Sequence, residues 1–174
     1  MNYIRYHEVE QLLRNFQALK GMREVLQAQI QTVMAVNEDE SELIENLSFN
    51  RNLDGLPKAQ NTMTDRTGNV ATAGLRKSSK ETSEATKAIA KDLILVDAVV
   101  RKLEIALNVL LPNERKAVEL KYFEGLNWYE IADETSTSVA TAQRHRRAGI
   151  ERIRIVARIT ISDYKRLMKI LNLN

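Results

Sequence analysis

Seven apolar residues, Ile89, Leu93, Val96, Val100, Leu103, Leu107 and Leu110, follow one another at gaps of 4, 3, 4, 3, 4 and 3. That spacing is a strict heptad seam, and it predicts a long helix whose apolar stripe is too narrow to be covered by anything but another helix. Ser78-x-x-Glu81 reads as a capping box opening that helix. A partner lies upstream. Val9, Leu12, Phe16, Leu19, Met22, Leu26, Ile30 and Val33 fall at gaps of 3 and 4, which predicts a helix over 3–36 with one apolar face. Gly21 interrupts that pattern without ending it; the acidic run at 37–42 ends it, and Glu42–Leu47 reads as a short extra turn. The two helices are expected to form an antiparallel hairpin or coiled coil. A second copy of the chain is the other candidate partner, which would make a homo-oligomer through the N-terminal helices.

Between the two helices, periodicity disappears. Residues 48–77 are polar and contain Gly55, Gly68, Gly74 and Pro57, so they read as a mobile loop of 30 residues. Six Gly and two Pro in 174 residues are too few for the many turns of an all-β protein. The expected fold is all-α, in two parts: a helical hairpin over 1–110 and a compact helical domain over 111–174.

The second part is a succession of short helices. Pro112 ends the heptad helix or begins the next at its first turn; Asn113–Phe123 reads as a helix of three turns with Ala117, Val118, Leu120 and Phe123 as core candidates, and Gly125 stops it. Asn127 caps a two-turn helix over Trp128–Glu134, the Thr/Ser run 135–138 makes a turn, and Ser138 caps a long helix to about Ile159. A last short amphipathic helix follows. The long helix carries Arg144, Arg146, Arg147, Arg152 and Arg154. On a 100° wheel Ser138, Ala142, His145, Gly149 and Ile153 share one side, flanked by Val139 and Ile150. Ala140, Gln143, Arg144, Arg147 and Glu151 share the other, with Thr141 and Arg146 at its margins. A small-residue face that docks and an Arg-rich face that does not is the pattern of a helix-turn-helix offered to a major groove. Gln can bond adenine and Arg guanine through two contacts each. Arg146, Arg152 and Arg154 are placed for phosphates, which position a protein without reading sequence.

Charge points the same way. Residues 138–174 hold nine Lys or Arg against two acids, a net +7, which leaves 17 cations against 21 acids, a net −4, elsewhere. A basic end on an acidic body implies a polyanion partner, here double-stranded DNA. Other chemistries find little support. With no Cys there is no disulfide framework and no thiolate. His7 and His145 are the only histidines and lack the paired spacing of a zinc site. No Gly-rich phosphate cradle is present, and the acids at 38–42 and 133–134 read as exposed. We therefore expect no metal, no cofactor and no enzymatic activity. His145 and Trp128 read as helix-packing residues. No apolar run approaches the roughly 18 residues of a membrane span, and the charged start "MNYIRYHEVEQ" does not read as a signal peptide. A cytoplasmic protein is expected.

The stretch "LPNERKAVELKYFEGLNWYEIADETSTSVATAQRHRRAGIERIR", 111–154, resembles region 4, the promoter-recognition domain of bacterial sigma factors. The resemblance rests on Leu111, Glu114 and Arg115, on the bend at Phe123 and Gly125, on Glu130-Ile131-Ala132, and on Ser138 opening the recognition helix. It implies that Ala140, Thr141, Gln143, Arg144 and Arg147 face bases. His145 departs from the family, which has an inward aliphatic there. The whole layout, a helical first half and loop before a region-4-like end, resembles phage late-gene transcription activators of the ArpU/RinA type. That resemblance implies late-promoter activation with host RNA polymerase as partner. A phage small terminase subunit is the alternative, although its DNA-binding element ordinarily comes first in the chain.

Overall fold

The computed structural model describes residues 2–49 and 66–172, with side chains over 2–35 and 83–172. Among the described residues there are seven helices and no strand: α1 (Tyr6–Arg14), α2 (Phe16–Phe49), α3 (Arg66–Asn108), α4 (Pro112–Tyr122), α5 (Trp128–Glu134), α6 (Val139–Ala157) and α7 (Ile161–Ile170). The protein is all-α, as the apolar periodicities require. It falls into two compact units, one of residues 1–25 with 92–174 and one of 26–91. The boundary expected at 110/111 therefore lies inside the first unit.

Three expectations from the first half change. The helix predicted over 3–36 begins at Tyr6 and breaks at Asn15. The break is local chemistry: the Asn15 side-chain amide and backbone N–H both donate to the Gln11 carbonyl, at 2.8 and 3.1 Å. Asn competes in this way for backbone groups that a continuous helix would use. Residues before Tyr6 are not helical because their backbone pairs elsewhere. Ile4 N–H donates to the Ile159 carbonyl and Ile161 N–H to the Asn2 carbonyl, both at 3.0 Å, which makes an antiparallel bridge between Tyr3 and Thr160. Ile4 and Ile159 are both buried beneath it.

The second change concerns the end of the first helix, which runs through the acidic segment 37–42 to Phe49. The third concerns the expected loop at 48–77. Residues 50–65 lie outside the described residues, but 66–77 form the first turns of α3, so Ser78 and Glu81 fall inside the helix and do not open it. Adding a residue to an existing helix is far less costly than nucleating one, so a strongly helical stretch extends into poorly patterned sequence.

The first unit buries apolar residues from both ends of the sequence. From α1 and the start of α2 come Val9, Leu12, Leu13, Phe16 and Leu19; from the end of α3 come Val96, Val99, Val100, Leu103, Ala106 and Leu107, with Leu110 just beyond it. Val99 and Ala106 are additions to the heptad seam. The buried face of α3 at this end is therefore wider than a two-helix seam needs. The chain directions of α2 and α3 oppose here, as Lys20 pairs with Glu104 and Arg23 with Asp97. Phe16 stacks on Phe123 with centroids 5.4 Å apart. In the second unit, the Thr32 hydroxyl donates to the Ala28 carbonyl at 3.0 Å within α2.

Candidate nucleic-acid interface

The three helices α4, α5 and α6 are fixed by local caps. Pro112 occupies the first turn of α4, where its missing N–H is not needed, and the Glu114 carboxylate accepts from Leu111 N–H at 3.2 Å. Gly125 takes φ +74°, a left-handed value that lets the chain leave α4 sharply. Asn127 then caps α5 fully: its side chain accepts from Tyr129 and Glu130 N–H, and Glu130 returns by accepting from Asn127 N–H at 2.7 Å. The Lys116 ammonium donates to the Glu134 carbonyl at the other end of α5. In the turn, the Thr135 hydroxyl donates to the Ile131 carbonyl at 2.6 Å and lies 2.8 Å from that of Thr137. Ser138 caps α6 by accepting from Thr141 N–H at 3.2 Å, and the two hydroxyls are 2.9 Å apart.

Below the turn, Leu120, Ile131 and Ala142 form a buried cluster, with Leu126 and Trp128 packed against it. Trp128 is thus a packing residue, as its position predicts; the Lys121 ammonium and the Arg146 guanidinium lie 5.0 and 5.2 Å from its ring. α6 buries Ala142, Gly149, Ile150, Ile153 and Ala157. Gly149 lies tight against α4: a Cβ there would meet Val118 Cγ2 at 3.0 Å and Glu114 Cβ and carbonyl oxygen at 3.4 Å. Gly149→Leu therefore has no room. It is expected to destabilise the unit by about 1–3 kcal/mol, read as a lower denaturant midpoint; a midpoint equal to wild type would contradict this packing.

The opposite face of α6 carries Ala140, Gln143, Arg144 and Arg147, all exposed, with Thr141 half-buried at the margin. Among the described residues Arg144 and Arg147 take part in no ion pair. The wheel therefore gives the correct side for these residues. It misplaces Arg146, expected at a phosphate. The Arg146 guanidinium donates to Glu10 at 2.6 Å and to the Tyr122 hydroxyl at 3.1 Å, and Tyr122 itself donates to Glu10 at 2.7 Å. Burial, together with the hydrogen bond to Glu10, raises the Tyr122 phenol well above its ordinary range, so it stays protonated as the donor. Arg146 is a staple between α6, α4 and α1.

Arg152 and Arg154 also have internal partners. Arg152 makes a two-point contact with Glu114, at 2.9 and 3.2 Å, and Arg154 chelates Glu151 at 2.5–3.1 Å. Glu114 is the buried charge of this region, at 4% exposure. Burial pushes its carboxyl up, but the hydrogen bonds from Arg152 and from Leu111 N–H outweigh that and hold it below the usual range. A carboxyl lowered by folding contributes stability above its unfolded pKa of about 4.3, and that contribution is lost as pH falls through the folded value. Glu114→Gln should therefore lose less stability than wild type between pH 5 and the acid limit of unfolding curves, and parallel acid limbs would refute the assignment.

The glutamates and tyrosine of these contacts were not legible as site residues. Glu10 and Arg146 are 136 positions apart, and nothing in the spacing of either signals the other. Glu114 is marked by the resemblance, and its place three residues after Leu111 fits a reciprocal cap, but its contact with Arg152, 38 positions on, has no local signal. His145 is half-buried beside the charge of Glu114, and His7 is exposed. Among the described residues no group of His, Asp and Glu could hold a metal ion, and no helix is long and apolar enough to cross a membrane.

No curated protein and no solved structure matches the chain. Residues 101–153 match the family model described as "Sigma-70, region 4", which takes in the end of α3, all of α4 and α5, and most of α6. The chain thus carries a sigma-region-4-like helix-turn-helix, a DNA-binding domain of transcription regulation, at its C-terminal side.

Proposed function

We propose that the protein is a sequence-specific transcription regulator that activates phage late-gene promoters together with host RNA polymerase. The observation that carries the DNA-reading part is the division of α6: Ala142 and Gly149 are buried, while Gln143, Arg144 and Arg147 are exposed. Ser138 begins the helix, and the small Ala140 and Thr141 let its first turn approach base edges. Gln143, Arg144 and Arg147 read bases from the groove, Arg by two-point contact with guanine. Arg152 and Arg154 stand at the margin toward phosphates, their charge partly offset by Glu114 and Glu151. No cofactor enters this reading, and the N-terminal helices are the surface for self-association. The late-promoter role is supported by the layout of the chain, a helical first half before a region-4-like end, which resembles activators of the ArpU/RinA type.

Selection of bound fragments from a random duplex pool tests the reading, followed by footprinting upstream of a late operon with and without polymerase. A recovered motif that lies beside a promoter, with protection extended by polymerase, is the expected result. Recovery of no motif would remove sequence-specific binding. A motif inside a packaging site, bound by a ring of many subunits, would replace the activator with a small terminase subunit.

A further inference from the structure

Outside residues 101–153, where the region-4 match lies, the same unit carries further exposed cations. α6 ends on Arg158, which takes φ +46° and ψ +45°. Left-handed geometry at a helix end is ordinarily given to Gly or Asn, and a long side chain there is an uncommon choice. Ile4 N–H bonds the Ile159 carbonyl, so Arg5 and Arg158 are the residues next to that contact on each segment. Both are exposed, and among the described residues neither has an ion pair. α7 adds Lys165 and Lys169, four residues apart on its exposed side and equally unpaired. Its buried side, Tyr164, Leu167 and Met168, fixes the helix in place, and Thr160 caps it. Of the acids in these segments, Asp92 pairs with Arg166, Glu8 accepts from Arg5 N–H, and Asp163 stands in the first turn of α7.

The position of the group relative to the reading face follows from helix geometry. The Arg158 Cα, at the cap of α6, lies 11 residues after Arg147, about 16 Å along the axis, and its left-handed backbone turns the side chain away from the helical register. The major groove is only about 12 Å wide. A recognition helix meets base edges through its N-terminal residues, so Arg158, about 16 Å beyond Arg147, lies toward the end of the helix that leaves the groove past the bordering sugar-phosphate strand. We propose that Arg5, Arg158, Lys165 and Lys169 form a second, sequence-independent contact that grips the phosphate strand flanking the groove entered by α6. This rests on the reading of α6 as a DNA-recognition helix.

The test is duplex binding by the full chain as a function of salt, using a random-sequence duplex and a panel of defined sequences. Each phosphate contact contributes about 0.9 to the slope of log K against log salt. Arg158→Gly is the decisive variant, because Gly suits the left-handed position: its melting temperature should equal or exceed that of wild type while the slope drops by about 0.9. The quadruple variant Arg5→Gln, Arg158→Gly, Lys165→Gln, Lys169→Gln should lower the slope by about 3.6, with the ranking of the defined sequences unchanged. A slope equal to wild type in Arg158→Gly and the quadruple variant would overturn the second contact and leave the first intact. A change in sequence ranking would overturn it too, by making these residues readers of bases. Wild-type protein that binds no duplex at low salt would remove both.

Discussion

Alanine at both Arg144 and Arg147 is expected to abolish discrimination between the selected DNA site and random duplex while leaving thermal stability unchanged. Each two-point arginine–guanine contact is worth about 1–3 kcal/mol of discrimination, so the pair accounts for about 2–6 kcal/mol, a loss of 30-fold or more in relative affinity. Stability should not move, because both side chains are exposed and neither takes part in an ion pair among the described residues. Residual binding should remain, carried by charge and steeply salt-dependent. Competition binding with selected and scrambled duplexes measures the effect. Retained preference in the double variant would show that the sequence is read from somewhere other than this face of α6.

Arg146→Ala is expected to give the opposite pattern. Its guanidinium is tied to Glu10 and Tyr122, and the Arg146 and Glu10 side chains are each 19% exposed. Exposed pairs are worth at most about 1 kcal/mol, and breaking a fully buried one costs about 3–5 kcal/mol. This pair lies between, so a loss of about 2–3 kcal/mol is expected, roughly 5–10 °C in Tm for a protein of this size. A double-mutant cycle with Glu10→Ala should recover a coupling free energy of about 1–2 kcal/mol. DNA affinity should fall only as far as the folded population does. An unaltered Tm with a shallower salt dependence would return Arg146 to the phosphate role that its place on the helix wheel implies.

These two arginines show where sequence reasoning carries and where it stops. The wheel separates Arg144 from Ala142 correctly because docking against α4 and α5 is a property of one short stretch, and small residues at helical spacing record it. Arg146 sits at the wheel's margin, and its direction is decided by Glu10 on a helix 136 residues away. The same limit governs the first half. The spacing of Val96, Val100, Leu103 and Leu107 announces a helix that must be covered, and all four are buried. It says nothing of the extra burial of Val99 and Ala106, which lie outside the seam. Likewise Asn15 breaks the first helix through one side-chain contact with Gln11, a choice that apolar periodicity does not register. The short helices after Pro112 were the most legible part. Their limits are written in Pro112, Gly125, Asn127 and Ser138, each of which acts on its immediate neighbours.

The bridge between Tyr3 and Thr160 joins segments separated by almost the whole length of the chain. During translation, Ile4 and the apolar face of α1 leave the ribosome long before Ile159 exists to cover them. The nascent polypeptide must keep those side chains apart from other exposed surfaces for the time it takes to make some 150 further residues, at about 5–20 residues per second. Closure of the unit that holds both segments therefore waits until Ile159 has been made, and a chain interrupted before that residue leaves Ile4 without its cover.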